Sequence, residues 1–138
     1  WFLWVHLFLN GLMILPFGGL LERKRGSKHV LLVFVTATVI SSIAFHFLTQ
    51  GQKIQATGIS AVGYAFITGG VILLPNIWKE FSCTVKLYYL FLILLASLML
   101  LPMITGWIST CLHLSGIASY LLVLSSATIL RKNALVIR

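Results

Sequence analysis

The sequence predicts an all-α integral membrane protein that forms a single domain over residues 1–138. Three observations support this fold class: its composition, five long apolar runs, and the placement of its basic residues. Of the 138 residues, 59% are hydrophobic and only 9% are charged, whereas soluble domains carry about 25% charged residues. A soluble chain this apolar would expose large apolar patches and aggregate. The composition therefore indicates a protein of the lipid bilayer.

Five apolar runs are long enough, or nearly long enough, to cross a bilayer, which takes ~20 residues as a helix. They cover residues 1–21, 30–48, 57–74, 87–104 and 107–130. Helices are expected because lipid cannot satisfy an exposed backbone amide. The runs also do not match the ~10-residue alternating strands of an outer-membrane barrel. We predict a bundle of five transmembrane helices. The third run is rich in small residues, which let helices approach closely, so we expect it at the centre.

The basic residues indicate how the chain is oriented. The net charge is +8, and nine of the ten basic residues fall in connections on one side of the predicted bundle. These nine are Arg23, Lys24, Arg25, Lys28, Lys79, Lys86, Arg131, Lys132 and Arg138, and the tenth is Lys53. Cytoplasmic loops carry an excess of basic residues, so we expect a multi-pass protein with a cytoplasmic C-terminus, in a bacterial inner membrane. The chain would then start outside, so we expect a further helix before Trp1.

Other partners and cofactors are not favoured by the pattern. The basic clusters lie at the ends of apolar runs and form no basic face interleaved with aromatic residues, which disfavours nucleic-acid binding. Cys83 and Cys111 lack metal-ligand spacing, and the predicted topology places them near opposite membrane surfaces. We therefore expect no disulfide, no metal site and no cofactor.

Polar side chains within the predicted spans are the candidates for chemistry, because they are costly in lipid. His6, Ser60 and His113 lie in three different runs, all near the predicted outer surface. A serine hydroxyl is a weak nucleophile until a base takes its proton, and imidazole is the usual base near neutral pH. The residues alone leave other interpretations open. Such a serine can bond its own backbone, and the histidines can simply pack between helices.

Four short motifs, in order along the chain, resemble those of one known family. His6-Leu-Phe-Leu-Asn10 is similar to the motif HxxxN, and Gly18-Gly19-Leu-Leu-Glu22, followed by Gly26, is similar to GGxxE with its trailing glycine. Gly58-Ile-Ser60-Ala61, followed by Tyr64, is similar to GxSG with its tyrosine. His113-Leu-Ser-Gly116 is similar to HxxG. Along its whole length the chain resembles the rhomboid family of intramembrane serine proteases. The fold implied is a rhomboid-like helical bundle, here without the family's first helix.

The resemblance implies roles for these residues. Ser60 would attack the scissile carbonyl, with His113 as general base and later general acid, and no acidic residue would assist. Tyr64 would pack on the His113 ring. His6 and Asn10, with the Ser60 amide, would donate hydrogen bonds to the oxyanion, and Gly58 would support the motif. Gly18, Gly19, Glu22, Gly26 and Gly116 would be structural. The substrates would be transmembrane segments of other proteins, cleaved within the bilayer without a cofactor.

Two positions depart from the family pattern, and the second of them supports a rival interpretation. Ala61 replaces a glycine, and Tyr120 stands four residues after Gly116, where the family often has another glycine. We expect the bulk of Tyr120 to push the fifth helix away from the third. The rival is then a catalytically inactive rhomboid-like protein that binds or guides membrane segments. A fragment of a transporter or channel, with histidines as a proton relay, is a second rival. It predicts a polar stripe across the membrane, whereas the polar residues here cluster near one side.

Overall fold

A computed structural model describes residues 2–50 and 59–136, and within these ranges the chain is helical and has no strand. The elements are α1 (Phe2–Arg25), α2 (Ser27–Leu48), α3 (Ile59–Ile77), a 3₁₀ turn (Trp78–Glu80), α4 (Cys83–Met99), α5 (Pro102–Thr105) and α6 (Trp107–Val136). The prediction of an all-helical bundle is confirmed. The start of the third predicted run, at residues 57 and 58, lies outside the described residues.

Four helical segments are long and apolar enough to cross a membrane: Trp4–Arg25, Ser27–Leu48, Ile59–Glu80 and Trp107–Thr128. These match four of the five predicted spans. The remaining predicted span, the fourth along the chain, corresponds to α4, which is apolar but has only 17 residues. At ~1.5 Å per residue it is about 25 Å long, at the short limit for a spanning helix. Its crossing of the membrane stays a prediction.

The bounds predicted for the fourth run, 87–104, are wrong at both ends. The helix begins earlier, at Cys83, because the Ser82 side chain accepts a hydrogen bond from the Val85 amide at 3.4 Å and caps the first turn. It ends at Met99, three residues before Pro102. Proline disfavours helical backbone in the residue before it, so the chain turns there and starts the short α5. Gly106, with φ +80°, then separates α5 from α6.

The turn between α1 and α2 depends on Gly26. Its φ of 85° and ψ of 161° lie in a region that essentially only glycine adopts. The Gly26 amide donates to the Glu22 carbonyl at 2.8 Å, and Ser27 Oγ donates to Glu22 Oε1 at 2.7 Å. Glu22 and Gly26 therefore act together in reversing the chain.

Helix α3 lies at the centre of the bundle, as its small residues predicted. In the most apolar stretch of α3, 61% is buried inside the bundle, against 39% for the corresponding stretch of α6, 28% for α1 and 17% for α2. The contacts between helices set their directions. Along α1 and α3, Ile14 faces Gly63 and Gly18 faces Phe66, so these two helices run the same way.

The glycines of α3 do something different from what the sequence suggested. The expected close approach of backbones is not what occurs at Gly69 and Gly70. A Cβ at Gly70 would overlap the Phe17 ring, and a Cβ at Gly69 would overlap the Tyr120 ring. These two glycines therefore make notches that seat large aromatic side chains. Close backbone approach occurs instead at Gly116 of α6.

Candidate active site

The N-terminal ends of α1, α3 and α6 lie together and carry the predicted site residues. Because α6 also contacts α3 at Ala61 and again at Gly69 further along, it runs parallel to α3. His6 lies near the start of α1, Ser60 is the second residue of α3, and His113 is in the second turn of α6. His6 and His113 are close enough to interact electrostatically. We call this end of the bundle the site end.

The opposite end carries most of the described positive charge, and we call it the basic end. Its basic residues with described side chains are Arg23, Lys24, Arg25, Lys28, Lys79 and Lys86. Lys24 Nζ lies 3.6 Å from Glu80 Oε2 in an ion pair open to solvent, which contributes little to stability. The two ends of the bundle therefore differ sharply in charge.

Tyr64 and His113 form a stacked pair in the interior of the site end. Their ring centroids are 4.3 Å apart with an angle of 23° between the planes, and each residue is only 4% exposed. Tyr64 Oη also donates to the Ala96 carbonyl of α4 at 2.7 Å. Since α3 holds Tyr64 and Tyr64 contacts both α4 and α6, this one side chain fixes the plane of the imidazole.

The two nitrogens of His113 have different surroundings. Nε2 lies 3.5 Å from the hydroxyl of Ser109, one turn earlier on the same helix. That separation is at the outer limit for a hydrogen bond. Nδ1 is buried, and no described residue makes a hydrogen bond of good geometry with it, although the main chain of Met99 lies close by. The imidazole therefore keeps hydrogen-bonding capacity that the described protein groups do not use.

Ser60 is half-buried and lies beside the point where α3 crosses α6. A Cβ added at Gly116 would overlap the carbonyl group of Ala61, so the two backbones touch next to Ser60. His113 precedes Gly116 by three residues and therefore lies on the same face of α6. Within residues 2–50 and 59–136, however, no hydrogen bond joins Ser60 to His113. Ser60 adjoins Ala61 and His113 is one turn from Gly116, so each lies next to this helix contact, but no hydrogen bond pairs them.

Asn10 is a buried polar residue that faces the interior from α1. It is 7% exposed, and its Nδ2 has no hydrogen-bond partner among the described residues. A buried amide without a partner costs about 1–3 kcal/mol, so it needs a reason. His6 is four residues earlier and shares this face of α1. The two side chains therefore supply polar groups to the site end.

Of the other predicted residues, Gly18, Gly19, Glu22 and Gly26 lie further along α1 or in the turn after it, away from this site. Gly58 lies outside the described residues. Gly18 packs under Phe66, whose ring would be 3.2 Å from an added Cβ, whereas nothing lies within 4 Å of a Cβ at Gly19. Glu22 and Gly26 form the turn at the basic end. The described part of the chain has no group of three or more metal-ligating side chains, and Cys83 and Cys111 are free thiols.

The prediction that Tyr120 pushes α6 away from α3 is wrong. Tyr120 is completely buried, and its ring occupies the notch at Gly69 while Gly116 still touches Ala61. A glycine on α3 therefore compensates for the missing glycine on α6. The sequence contained both residues, but nothing in it indicated that they meet.

Two further contacts were not anticipated. Ser109 could have been noticed, because it precedes His113 by four residues and so shares its face of the helix. The contact of Tyr64 with the Ala96 carbonyl could not have been predicted, since every residue of α4 has a backbone carbonyl.

Between α3, α4 and α6 the structure also has an apolar cleft of about 230 Å³, lined by residues that include Tyr64, Ala96 and Ile117.

Comparisons with known proteins give one match. The family model described as Rhomboid domain matches residues 2–127, which is most of the chain. No curated protein and no solved structure matches it.

Proposed function

Because the chain belongs to the rhomboid family, we propose that it is an intramembrane serine protease that cleaves transmembrane segments of other proteins within the lipid bilayer. The observation that carries this proposal is the buried stack of Tyr64 on His113, beside the crossing of α3 and α6 that holds Ser60. A serine, an imidazole and a residue that orients the imidazole are thus contributed by two helices in contact.

In this proposal Ser60 is the nucleophile and His113 is its base. His113 takes the hydroxyl proton as Ser60 attacks the scissile carbonyl, and it then protonates the leaving amine. The weak contact of Nε2 with Ser109 at 3.5 Å is readily given up. Catalytic hydrogen bonds are often long in the free enzyme and tighten when substrate binds. The stacked Tyr64 ring limits how far the imidazole can turn.

In this proposal three kinds of group would donate to the developing oxyanion. Ser60 is in the first turn of α3, where backbone N–H groups have no partner within the helix and the helix dipole favours negative charge. Asn10 offers an Nδ2 that no described residue uses, and His6 lies one turn away on the same helix. Loss of one such donor costs roughly 3–4 kcal/mol of transition-state stabilisation. The absence of an acidic partner for His113 makes these donors more important.

The test is cleavage of a transmembrane reporter by the purified protein in lipid vesicles. We expect Ser60→Ala and His113→Ala to abolish cleavage, while Ser42→Ala cleaves like the parent. Ser42 is a suitable control because it is an exposed serine that bonds the Thr38 carbonyl of its own helix. Ser109→Ala decides which hydroxyl reacts: if it abolishes cleavage and Ser60→Ala does not, Ser60 is not the nucleophile.

The inactive rhomboid-like protein remains the alternative, and one observation favours it. The only serine hydroxyl that contacts the His113 ring within the described residues is that of Ser109. This alternative predicts that a photo-crosslinkable transmembrane peptide is captured equally by the parent and by Ser60→Ala, and that neither cleaves it. Cleavage that depends on Ser60 excludes it.

We also propose an orientation for this multi-pass membrane protein. The basic end would face the cytoplasm of a bacterial cell, together with the C-terminus, and the site end would lie near the outer surface. The charge difference between the two ends supports this, since basic residues are retained on the cytoplasmic side. Substrate segments would then be cut near the outer face of the membrane.

A further inference from the structure

The ring of Tyr120 lies at a junction of four helices. Tyr120 projects from α6 and is fully buried. A Cβ at Gly69 of α3 would lie 2.7 Å from its Cζ and 2.8 Å from Leu21 Cδ2 of α1. His29 of α2 meets the ring edge-on, with centroids 5.9 Å apart. Helices α1, α2 and α3 therefore surround this one side chain of α6.

Tyr120 lies on the same seam between helices as the site. On α6, His113, Gly116 and Tyr120 follow the i, i+3, i+7 spacing of a single helix face. On α3, Ala61 and Gly69 are two turns apart and face the same neighbour. The crossing of these helices is therefore held at two points: Gly116 against Ala61, and Tyr120 in the notch at Gly69.

Two contact points determine how one helix can sit on another. The contact at Gly116 joins backbone to backbone, so it limits how closely α6 approaches α3. It does not by itself prevent α6 from tilting about that point. The second contact does, because the ring is enclosed on several sides and protein interiors yield little to added volume. A change at Tyr120 or Gly69 is thus transmitted to His113, on the opposite side of the Gly116 pivot.

We propose that Tyr120 is a positioning residue, whose ring in the Gly69 notch sets the tilt of α6 and so holds His113 at its working distance from Ser60. This inference rests on the proposed function. The ring carries the role, because the Tyr120 hydroxyl has no hydrogen-bond partner among the described residues. A misplacement of ~1 Å between reacting groups can lower the rate about 100-fold.

Reciprocal substitutions at the notch test the proposal through steady-state cleavage in vesicles. Gly69→Ala places a methyl group against the Tyr120 ring, and we expect kcat to fall about 100-fold with KM little changed. Gly69→Ala combined with Tyr120→Leu removes the two closest overlaps, both with the ring, and leaves only the contact with the end of the Leu21 side chain, so it restores most of kcat. Tyr120→Phe keeps the ring and cleaves like the parent. The control is Gly19→Ala, where an added Cβ meets nothing within 4 Å.

A second readout does not depend on proteolysis. Cysteines are introduced at Ser60 and His113 in a chain whose Cys83 and Cys111 are replaced by alanine, and the rate of disulfide formation under a copper oxidant is measured. We expect Gly69→Ala to slow this cross-linking and the added Tyr120→Leu to restore it. If the parent protein fails to cleave any reporter, the proposed function is lost, but the cross-linking rates still decide the positioning role.

The proposal is overturned by either of two results. The first is equal cross-linking rates with and without Gly69→Ala, or no cross-linking in any background. The second is a Gly69→Ala protein whose kcat equals that of the parent. A purely structural role would lower the unfolding temperature without changing kcat in the folded protein or the cross-linking rate, and that outcome also contradicts the proposal.

Discussion

Replacing Tyr64 with phenylalanine removes one hydroxyl from the interface between α3 and α4 and leaves the ring on His113. In the parent, Tyr64 Oη donates to the Ala96 carbonyl at 2.7 Å. Ala96 is three residues before the end of α4 at Met99, where the last carbonyls of a helix have no amide donor within the helix. The Leu100 amide, which would reach Ala96 in a continuing helix, bonds Ser97 O at 3.2 Å instead. The tyrosine hydroxyl is therefore the donor that satisfies this carbonyl.

The magnitude follows from the burial of the group left behind. Ala96 is 3% exposed, so its carbonyl cannot turn to solvent after the substitution. Leaving a buried acceptor without a partner costs about 1–3 kcal/mol. Side-chain hydrogen bonds in membrane proteins contribute less, on average about 0.6 and at most about 1.7 kcal/mol. We therefore expect Tyr64→Phe to lower the free energy of unfolding by about 1–2 kcal/mol, with cleavage retained because the stack on His113 remains.

The assay is reversible unfolding in mixed micelles, with Tyr88→Phe as the matched control. Tyr88 is a neighbouring tyrosine of α4 that is 40% exposed, and its hydroxyl makes no hydrogen bond with the described residues. Its removal should change the free energy of unfolding by less than the error of the measurement. If Tyr64→Phe and Tyr88→Phe unfold alike, the hydroxyl does not hold α4 to α3 and the reasoning is refuted.

Three further predictions concern other parts of the chain. Gly116→Ala should lower the free energy of unfolding by about 1–3 kcal/mol and abolish cleavage, because the added Cβ overlaps the Ala61 carbonyl. Thermal unfolding and reporter cleavage measure this, and a variant that unfolds and cleaves like the parent would contradict the contact between the helices. Gly26→Ala should lower the free energy of unfolding by about 1–3 kcal/mol in the same assay, since a φ of 85° strains any residue but glycine. An unchanged free energy of unfolding would show that the turn does not require glycine. Cys83, exposed at the basic end, should react with a membrane-impermeant maleimide only after cells are opened; labelling of intact cells would reverse the proposed orientation.

The sequence predicted the elements that follow from length and polarity. Successive membrane-spanning helices run in opposite directions, so the first, third and fifth runs are predicted to start on the same side of the bilayer. This alone places His6, Ser60 and His113, which lie near the starts of these runs, at one end. The structure agrees, because α1, α3 and α6 run parallel. The bounds of α4 were harder to predict: the run of apolar residues continues past Met99, and only the backbone preferences around Pro102 end the helix.

Packing between helices was beyond the sequence. The seating of Tyr120 at Gly69 joins residues that are distant along the chain, and no local pattern pairs them. Tyr120 alone suggested that α6 would be displaced, since the compensating glycine was interpreted only as a site of backbone contact. The contact of His113 with Ser109 differs, because helical spacing alone places Ser109 one turn before His113 on the same face of α6.

The central claim is that Ser60 is a nucleophile activated by His113. It is tested most directly by labelling the folded protein in vesicles with a fluorophosphonate and locating the modified serine by mass spectrometry. We predict that the label is found on Ser60, that His113→Ala prevents labelling, and that Ser109→Ala does not. A label on Ser109, or labelling of Ser60 that persists in His113→Ala, would contradict the account.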